Sequence, residues 1–386
     1  MAKGFWNRSR KEKGAREVAQ PGYVSRSQSQ MIWRAFRRHR LGNIGMVIIA
    51  IFALLAIFAD FFAPYPYAQQ FRQYPFAPPS SLHFRSEEGT TVRPFIYATQ
   101  RTVDPETYAP KFTENRSVKY YIRFFVRGAD YKVLGLFKSN IHLLGAQATD
   151  GTQAPLFLFG SDTFGRDVFS RTIHGSRVSL AVGPLVVLIA FPIAIFLGGV
   201  SGYYGGGVDM ILQRIGEVFM AIPGFPILLA AGAALAGLGL SPVAVFLGII
   251  IALALISWAG TARVIRGQIL AIREMDFVNA ARAAGASDVR VILRHIIPNV
   301  TSFLVVSATL TIPGMMLTEA GLSFLGYGIR EPMTSWGQLL NGASNIAGIE
   351  THPWQLIPGG FIVISVLAFN FMGDALRDAV DPFSIT

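Results

Sequence analysis

Residue types that do chemistry are present in this chain, but not at spacings that assemble a reaction centre. The six histidines, His39, His83, His142, His174, His295 and His352, are scattered, with no metal-ligand spacing and no H-E-x-x-H pair. There is no cysteine, so no thiolate ligand, cysteine nucleophile or disulfide. Neither a phosphate cradle of the form G-x4-G-K-[ST] nor a G-x-S-x-G elbow occurs. No cofactor and no catalysis are expected, and any energy for work must come from another chain. What remains are charges in costly places. Glu217 and Glu319 fall inside apolar runs, where a carboxylate lines a wet pathway or is held in a buried pair, for Glu217 with Arg214. Pro223 follows Glu217 closely in the same run. Arg166 and Asp167 precede another run: they read as a gate or a partner contact, or as the wet side of an interfacial helix whose Val168 and Phe169 sit in lipid.

The elements that position these residues are membrane spans. Of 386 residues, 52% are hydrophobic and 15% charged, against about 25% charged in soluble domains. Runs near the length needed to cross the hydrocarbon core lie at Asn43–Ala63, Val178–Tyr203, Val208–Leu238, Val243–Ala262, Val300–Gly321 and Leu356–Met372. The net charge of +11 is concentrated in residues 1–40, which hold eleven Lys/Arg against Glu12 and Glu17. A basic flank before an apolar run marks the cytoplasmic side and argues against nucleic acid. The long preceding tail and the absence of a small-x-small site make the first run a retained anchor rather than a signal peptide. Six crossings then place both termini inside. They also place inside the 263–299 connection, with Arg263, Arg266, Arg273, Arg282, Arg290 and Arg294; the opposite 326–355 connection carries only Arg330.

Residues 64–160 carry no span. Alternation such as Val118-Lys119-Tyr120-Tyr121-Ile122-Arg123 predicts an extracytoplasmic α+β or β-rich insert. Gly198, Gly202 and Gly206 recur every four residues, the spacing for close helix approach. Pro223 and Pro226 are expected to break the third span and Pro313 the fifth.

The most patterned polar stretch is 268–299. Ile269, Ile272, Phe277, Ala280, Ala281 and Ala284 recur at helical steps, Gly285 suits a left-handed terminus, and Ser287 with Asp288 suits the start of a second helix. Pro298 suits the start of the next span. This helix–turn–helix either docks in a groove of another protein or rests on lipid headgroups.

Asn279-Ala280-Ala281-Arg282-Ala283-Ala284-Gly285, nine residues, then His295-Ile296-Ile297-Pro298 resembles the EAA loop, E-A-A-x3-G-x9-I-x-L-P, of binding-protein-dependent ABC importer permeases. Asn279, His295 and Ile297 depart from the pattern. The segments 159–171, 322–328 and 370–382 resemble dipeptide and oligopeptide permeases of the second-subunit, C type. The resemblance covers about 160–382 and, less closely, the first span; the long insert departs from it. It implies an all-α membrane protein with six helices of the type I importer fold, in a prokaryotic inner membrane. The implied partners are a second homologous permease, two cytoplasmic ATPase subunits and an extracytoplasmic substrate-binding protein. Asn279, Ala280, Ala281, Arg282, Gly285, Ala286, Asp288 and Pro298 would then couple to an ATPase.

The expected organisation is a basic tail (1–40), a first span (41–63), the insert (64–160), a permease core (161–376) with its coupling loop (264–299), and a tail (377–386). Asp374, Arg377, Asp378 and Asp381 fall at the end of the last span and in that tail. Two other readings compete: a secondary transporter or channel working alone, and a membrane scaffold whose insert is the functional part.

Overall fold

The computed structural model describes residues 28–86, 89–103, 105–106, 110–133, 135–344 and 350–380. Most of the basic tail (1–27) and the last residues, Asp381 among them, lie outside the described residues. Among the described residues, five helices are long and apolar enough to cross a membrane, and a bent pair could form a sixth span.

Helix α1 (Gln28–Arg38) and α2 (Arg40–Ile57) meet at His39, whose Nδ1 accepts from the Gly42 amide at 3.1 Å and caps α2. A short α3 (Ala59–Phe62) ends that limb. Helix α4 (Val168–Tyr204) and α7 (Pro242–Ile272) form the principal packed pair. Val182, Val186, Ala190 and Ala194 of α4 share one core with Ile249, Leu253, Ala254 and Trp258 of α7. A Cβ on Gly198 would fall on the Ala262 carbonyl, and one on Gly202 would lie 2.9 Å from the Arg266 carbonyl, so both glycines set this approach. Gly206 does not: it sits at φ +55° in the turn after α4, with open space around it.

Between them, α5 (Gly206–Ala221) and α6 (Gly224–Gly237) bend by 76° at Ile222–Pro223. Proline removes an amide and clashes with the preceding turn, which accounts for the break expected at Pro223. The break expected at Pro313 does not occur. Helix α10 (Ile297–Phe324) runs through it, with Pro313 buried among neighbouring helices that hold the remaining ladder.

Three other expectations change at the loop end. Helix α7 continues to Ile272, ten residues beyond the predicted span, so the apolar stripe from Ile269 to Ala284 is not one helix. The chain breaks at 273–275, and α8 covers only Asp276–Ala283. Arg273 explains the break: its guanidinium donates to the Gly202 and Tyr203 carbonyls (3.1 and 3.3 Å) at the end of α4. The predicted second helix is not separate either. A short α9 (Asp288–Arg290) passes through a π-helical turn (Val291–Ile296) into α10. Pro298 cannot bond to the Arg294 carbonyl, and widening the preceding turn absorbs that loss within one continuous helix.

The last helix, α12 (Ile357–Val380), follows the short α11 (Trp336–Asn341) and includes residues 377–380, which were expected to be tail. Ala375 and Ala379 pack on Phe36 of α1, while Asp374, Arg377 and Asp378 face outward from the same helix. Residues 28–38 of the expected tail are thus part of the folded bundle.

The insert is an antiparallel meander, β1 (His83–Ser86), β2 (Gly89–Val103), β3 (Pro110–Val133), β4 (Phe137–Gln147) and β5 (Gln153–Ala154), paired in chain order. A small core of Ile96, Ala146 and Leu156 backs it. His142, buried on β4, faces the Ala63 carbonyl through Nδ1 (2.7 Å) and ties the sheet to the end of α3. The sheet and residues 326–344 and 350–355 lie at one end of the bundle. Helices α1 and α8 and the C-terminus of α12 lie at the other.

Candidate functional site

At the loop end, α8 is a short amphipathic cylinder. Val278 is fully buried, and Ala281 and Ala286 pack against the main core. Met275, Phe277, Ala280, Ala283 and Ala284 are exposed. Residues three and four apart share a helix face, so Phe277, Ala280 and Ala284 form one unoccupied apolar strip.

Gly285, at φ +80°, ends α8. Its amide donates to the Arg282 carbonyl at 2.9 Å and the Ala286 amide to the Ala281 carbonyl at 3.1 Å, the paired bonds of a Schellman terminus. Ser287 takes the expected N-cap backbone conformation, but its side chain accepts no hydrogen bond. Asp288 instead accepts from the Tyr203 hydroxyl at 2.7 Å. Arg282 donates to that hydroxyl at 3.3 Å and lies over the Tyr203 ring, 4.9 Å from its centre. Asn279 turns back to the break before its helix, donating to the Glu274 carbonyl at 3.2 Å and accepting from Arg282 at 3.5 Å. Pro298 is exposed in the first turn of α10, well along the chain from the α8 strip.

Tyr203 was missed by sequence reading. So was the pair of Arg266 with Asp209, both contacts at 2.5 Å, which ties α7 to α5 one turn deeper. These groups lie in other helices, and only folding brings them to the loop. Glu217 pairs with Arg214 at 2.9 Å and with Arg263 at 3.7 Å, both partners exposed. Pro223 is the N-cap of α6. Glu319 is completely buried and accepts from Ser323 at 2.6 Å and Ser335 at 2.9 Å, so within this chain it lines no open space.

At the sheet end, Arg166, Asp167 and Val168 are all buried, which overturns the interfacial helix with its charges in water. Arg166 donates to Asp162 at 2.7 Å and to Glu331 at 2.6 Å. Arg171 donates to Asp162 (2.5 Å), Glu331 (3.1 Å), Thr334 (3.0 Å) and Gln338 (3.2 Å). Burial pushes Glu331 upward, but the two guanidiniums outweigh it and hold the carboxyl below its usual range. The network lines a cavity of about 150 Å³ and locks the start of α4 to the 326–355 connection.

Asp167 caps α4, accepting from the Ser170 amide (2.8 Å) and hydroxyl (2.6 Å). Burial nonetheless pushes its carboxyl up to about 7, the Ser170 bonds opposing. A carboxyl raised on folding stabilises the protein below its unfolded value of 3.8, and that stability is lost as pH rises towards about 7. Asp167→Asn keeps a capping oxygen. We expect it to flatten the fall in thermal unfolding midpoint over this range; an unchanged slope in the variant would show that another group is responsible.

The fold and its two ordered ends define a multi-pass membrane component. Residues 190–385 match the family of the binding-protein-dependent transport system inner membrane component. Residues 27–79 match the N-terminal TM domain of oligopeptide transport permease C. The dipeptide transport system permease protein DppC of Bacillus subtilis is 42% identical over 254 residues, 65% of this chain and 77% of that one. The oligopeptide transport system permease protein OppC of Haemophilus influenzae is 44% identical over 227 residues, 58% and 70%. OppC of Escherichia coli is 40% identical over 227 residues, 58% and 72%. Among solved structures, an inward-facing MetNI methionine ABC transporter overlaps 55% of this chain and 97% of its own at 20% identity, with a TM-score of 0.42, a likeness too slight to add to the assignment. The chain belongs to the binding-protein-dependent transport system inner membrane components. Within them it is a peptide ABC permease of the C type, a multi-pass protein of the inner membrane.

Proposed function

We propose that this chain forms half of the pathway of an ATP-driven peptide importer and takes its power stroke through α8. It would have the type I importer fold with six spans, the bent α5–α6 pair being the third. The carrying observation is the α8 strip: apolar and uncovered on one side, and fixed on the other by Val278, the Schellman terminus and the Tyr203–Asp288–Arg282 cluster. A rigid helix with an unfilled face at the Arg-rich end of the bundle suits a groove on a cytoplasmic ATPase. The Arg bias supports a cytoplasmic location for that end and for both termini. Ala280, Ala281, Gly285 and Ala286 give the loop its small size. Arg282 and Asp288 act inside the chain, holding the loop to α4, rather than across to the partner. Pro298 shapes the π-helical turn behind it.

A second permease would cover the exposed apolar surface of α5 and α6, including Met210, Ile211, Val218 and Phe225. Two ATPases and an extracytoplasmic substrate-binding protein complete the machine. Glu217, with its arginine partners, would then lie beside the pathway at its cytoplasmic end. Glu319, Arg166 and Asp167 would hold helices in place rather than meet substrate.

Because the native chain has no cysteine, Ala280→Cys offers one thiol on the strip. A thiol-reactive crosslinker should join it to an ATPase in the assembled complex. Crosslinks to lipid or detergent alone would refute the docking reading. Tyr203→Phe removes the part-buried bond to Asp288, worth about 1 kcal/mol. ATP hydrolysis should persist while uptake per ATP falls roughly fivefold; unchanged uptake per ATP would show that the anchor is dispensable.

A further inference from the structure

We propose that the β3–β4 hairpin of the insert is a membrane-surface anchor, seated in the lipid interface on the sheet's side of the bilayer. The first observation is a break in strand alternation. Successive strand residues point to opposite faces, yet Phe124 and Phe125 are both exposed, at 65% and 67%. The cause is Phe125 itself, which has φ 56°, a left-handed conformation that a bulky residue adopts only under strain. Beyond it, at the hairpin turn, Leu136 and Phe137 are 74% and 71% exposed. Such surface on an insert with a core as small as this one needs an apolar partner.

The second observation identifies that partner. On α2, Ile44, Val47, Ile51 and Leu54 form an exposed stripe at helical spacing, the outer surface of a membrane-crossing helix. Phe58, just before α3, is exposed at the same spacing, and Phe61 of α3, half-buried, follows it. The Phe61 ring lies 6.2 Å from that of Phe125. The exposed side of the first span therefore leads, through Phe58 and the Phe61 ring, to Phe125 on β3. The bond between His142 and the Ala63 carbonyl fixes the sheet at this height.

The third observation is charge. Arg123, Arg127, Lys132 and Lys138 flank the exposed rings, with Asp130 as the one acid in residues 123–138. Exposed aromatics with basic neighbours suit an interface whose headgroups are anionic. A soluble partner needs no such continuity with a span.

The absence of cysteine makes the test clean. Single variants Phe125→Cys, Phe137→Cys and, as a control, Thr113→Cys each carry one bimane on the full chain. Thr113 is exposed and lies roughly 40 Å along β3 from Phe125. The proteins are placed in vesicles of phosphatidylethanolamine and phosphatidylglycerol. A nitroxide high on the acyl chain should quench the label at 125 and 137 and spare 113, while aqueous iodide should do the reverse. Position 137 keeps the test valid if substitution at the strained position 125 disturbs the strand. Iodide quenching at 125 and 137 equal to that at 113 would overturn the proposal. So would loss of both kinds of quenching when the second permease or the binding protein is added, since the surface would then belong to a protein.

Discussion

Gly285→Val should lower ATP-driven uptake by a factor of about 5–30, the largest effect expected of any single change in the loop. A Cβ there meets nothing within 4 Å, so crowding is not the cause. The cost is backbone: a left-handed conformation costs an ordinary L-residue about 1–2 kcal/mol, and valine is the worst placed to bear it. The two bonds that close α8, from the Gly285 and Ala286 amides, depend on that conformation. When they open, the Phe277–Ala280–Ala284 strip is no longer held at one angle. Gly285→Asn should retain most uptake, because asparagine tolerates the left-handed region, and Gly285→Ala should fall between. Uptake in the order Gly, Asn, Ala, Val supports conformation as the cause. An order that follows side-chain volume would point to a buried contact instead.

Arg171→Met should destabilise the purified chain by about 3 kcal/mol, the second large effect. Arg171 is buried, with its guanidinium shared among Asp162, Glu331, Thr334 and Gln338. Removing it leaves Asp162 with Arg166 alone and unpins α4 from the 326–355 connection. The thermal unfolding midpoint in detergent is the measurement. Arg171→Lys should recover only part of the loss, since an ammonium cannot present the same fork to two carboxylates. A wild-type midpoint for Arg171→Met would mean that the network contributes no net stability.

Much of this was legible in order along the chain, because a span is a property of length and apolarity. Val178–Tyr203, Val300–Gly321 and Leu356–Met372 all lie within single helices apart from a residue at one edge, and Pro223 marks a real bend. Gly285 was legible because only glycine adopts its backbone cheaply. What failed did so for tertiary reasons. The break at 273–275 depends on carbonyls seventy residues earlier, at Gly202 and Tyr203. Arg166 looked like an exposed charge because one of its two partners, Glu331, lies 165 positions away. Glu319 suggested a pathway on cost alone, yet it is fully buried, and one serine a helical turn on and another from the following loop both donate to its Oε1. Asp162 and Arg171 stood within the stretch that resembled peptide permeases, and nothing local showed that they meet.

The central claim is that this chain moves peptides with energy borrowed from a separate ATPase. Its most direct test is uptake of a labelled peptide by proteoliposomes holding the chain with its second permease, ATPases and binding protein. The account predicts uptake that requires ATP, stops with vanadate, ignores a collapsed ion gradient and fails when the ATPases are omitted. Uptake by this chain alone, driven by an ion gradient and insensitive to vanadate, would contradict it.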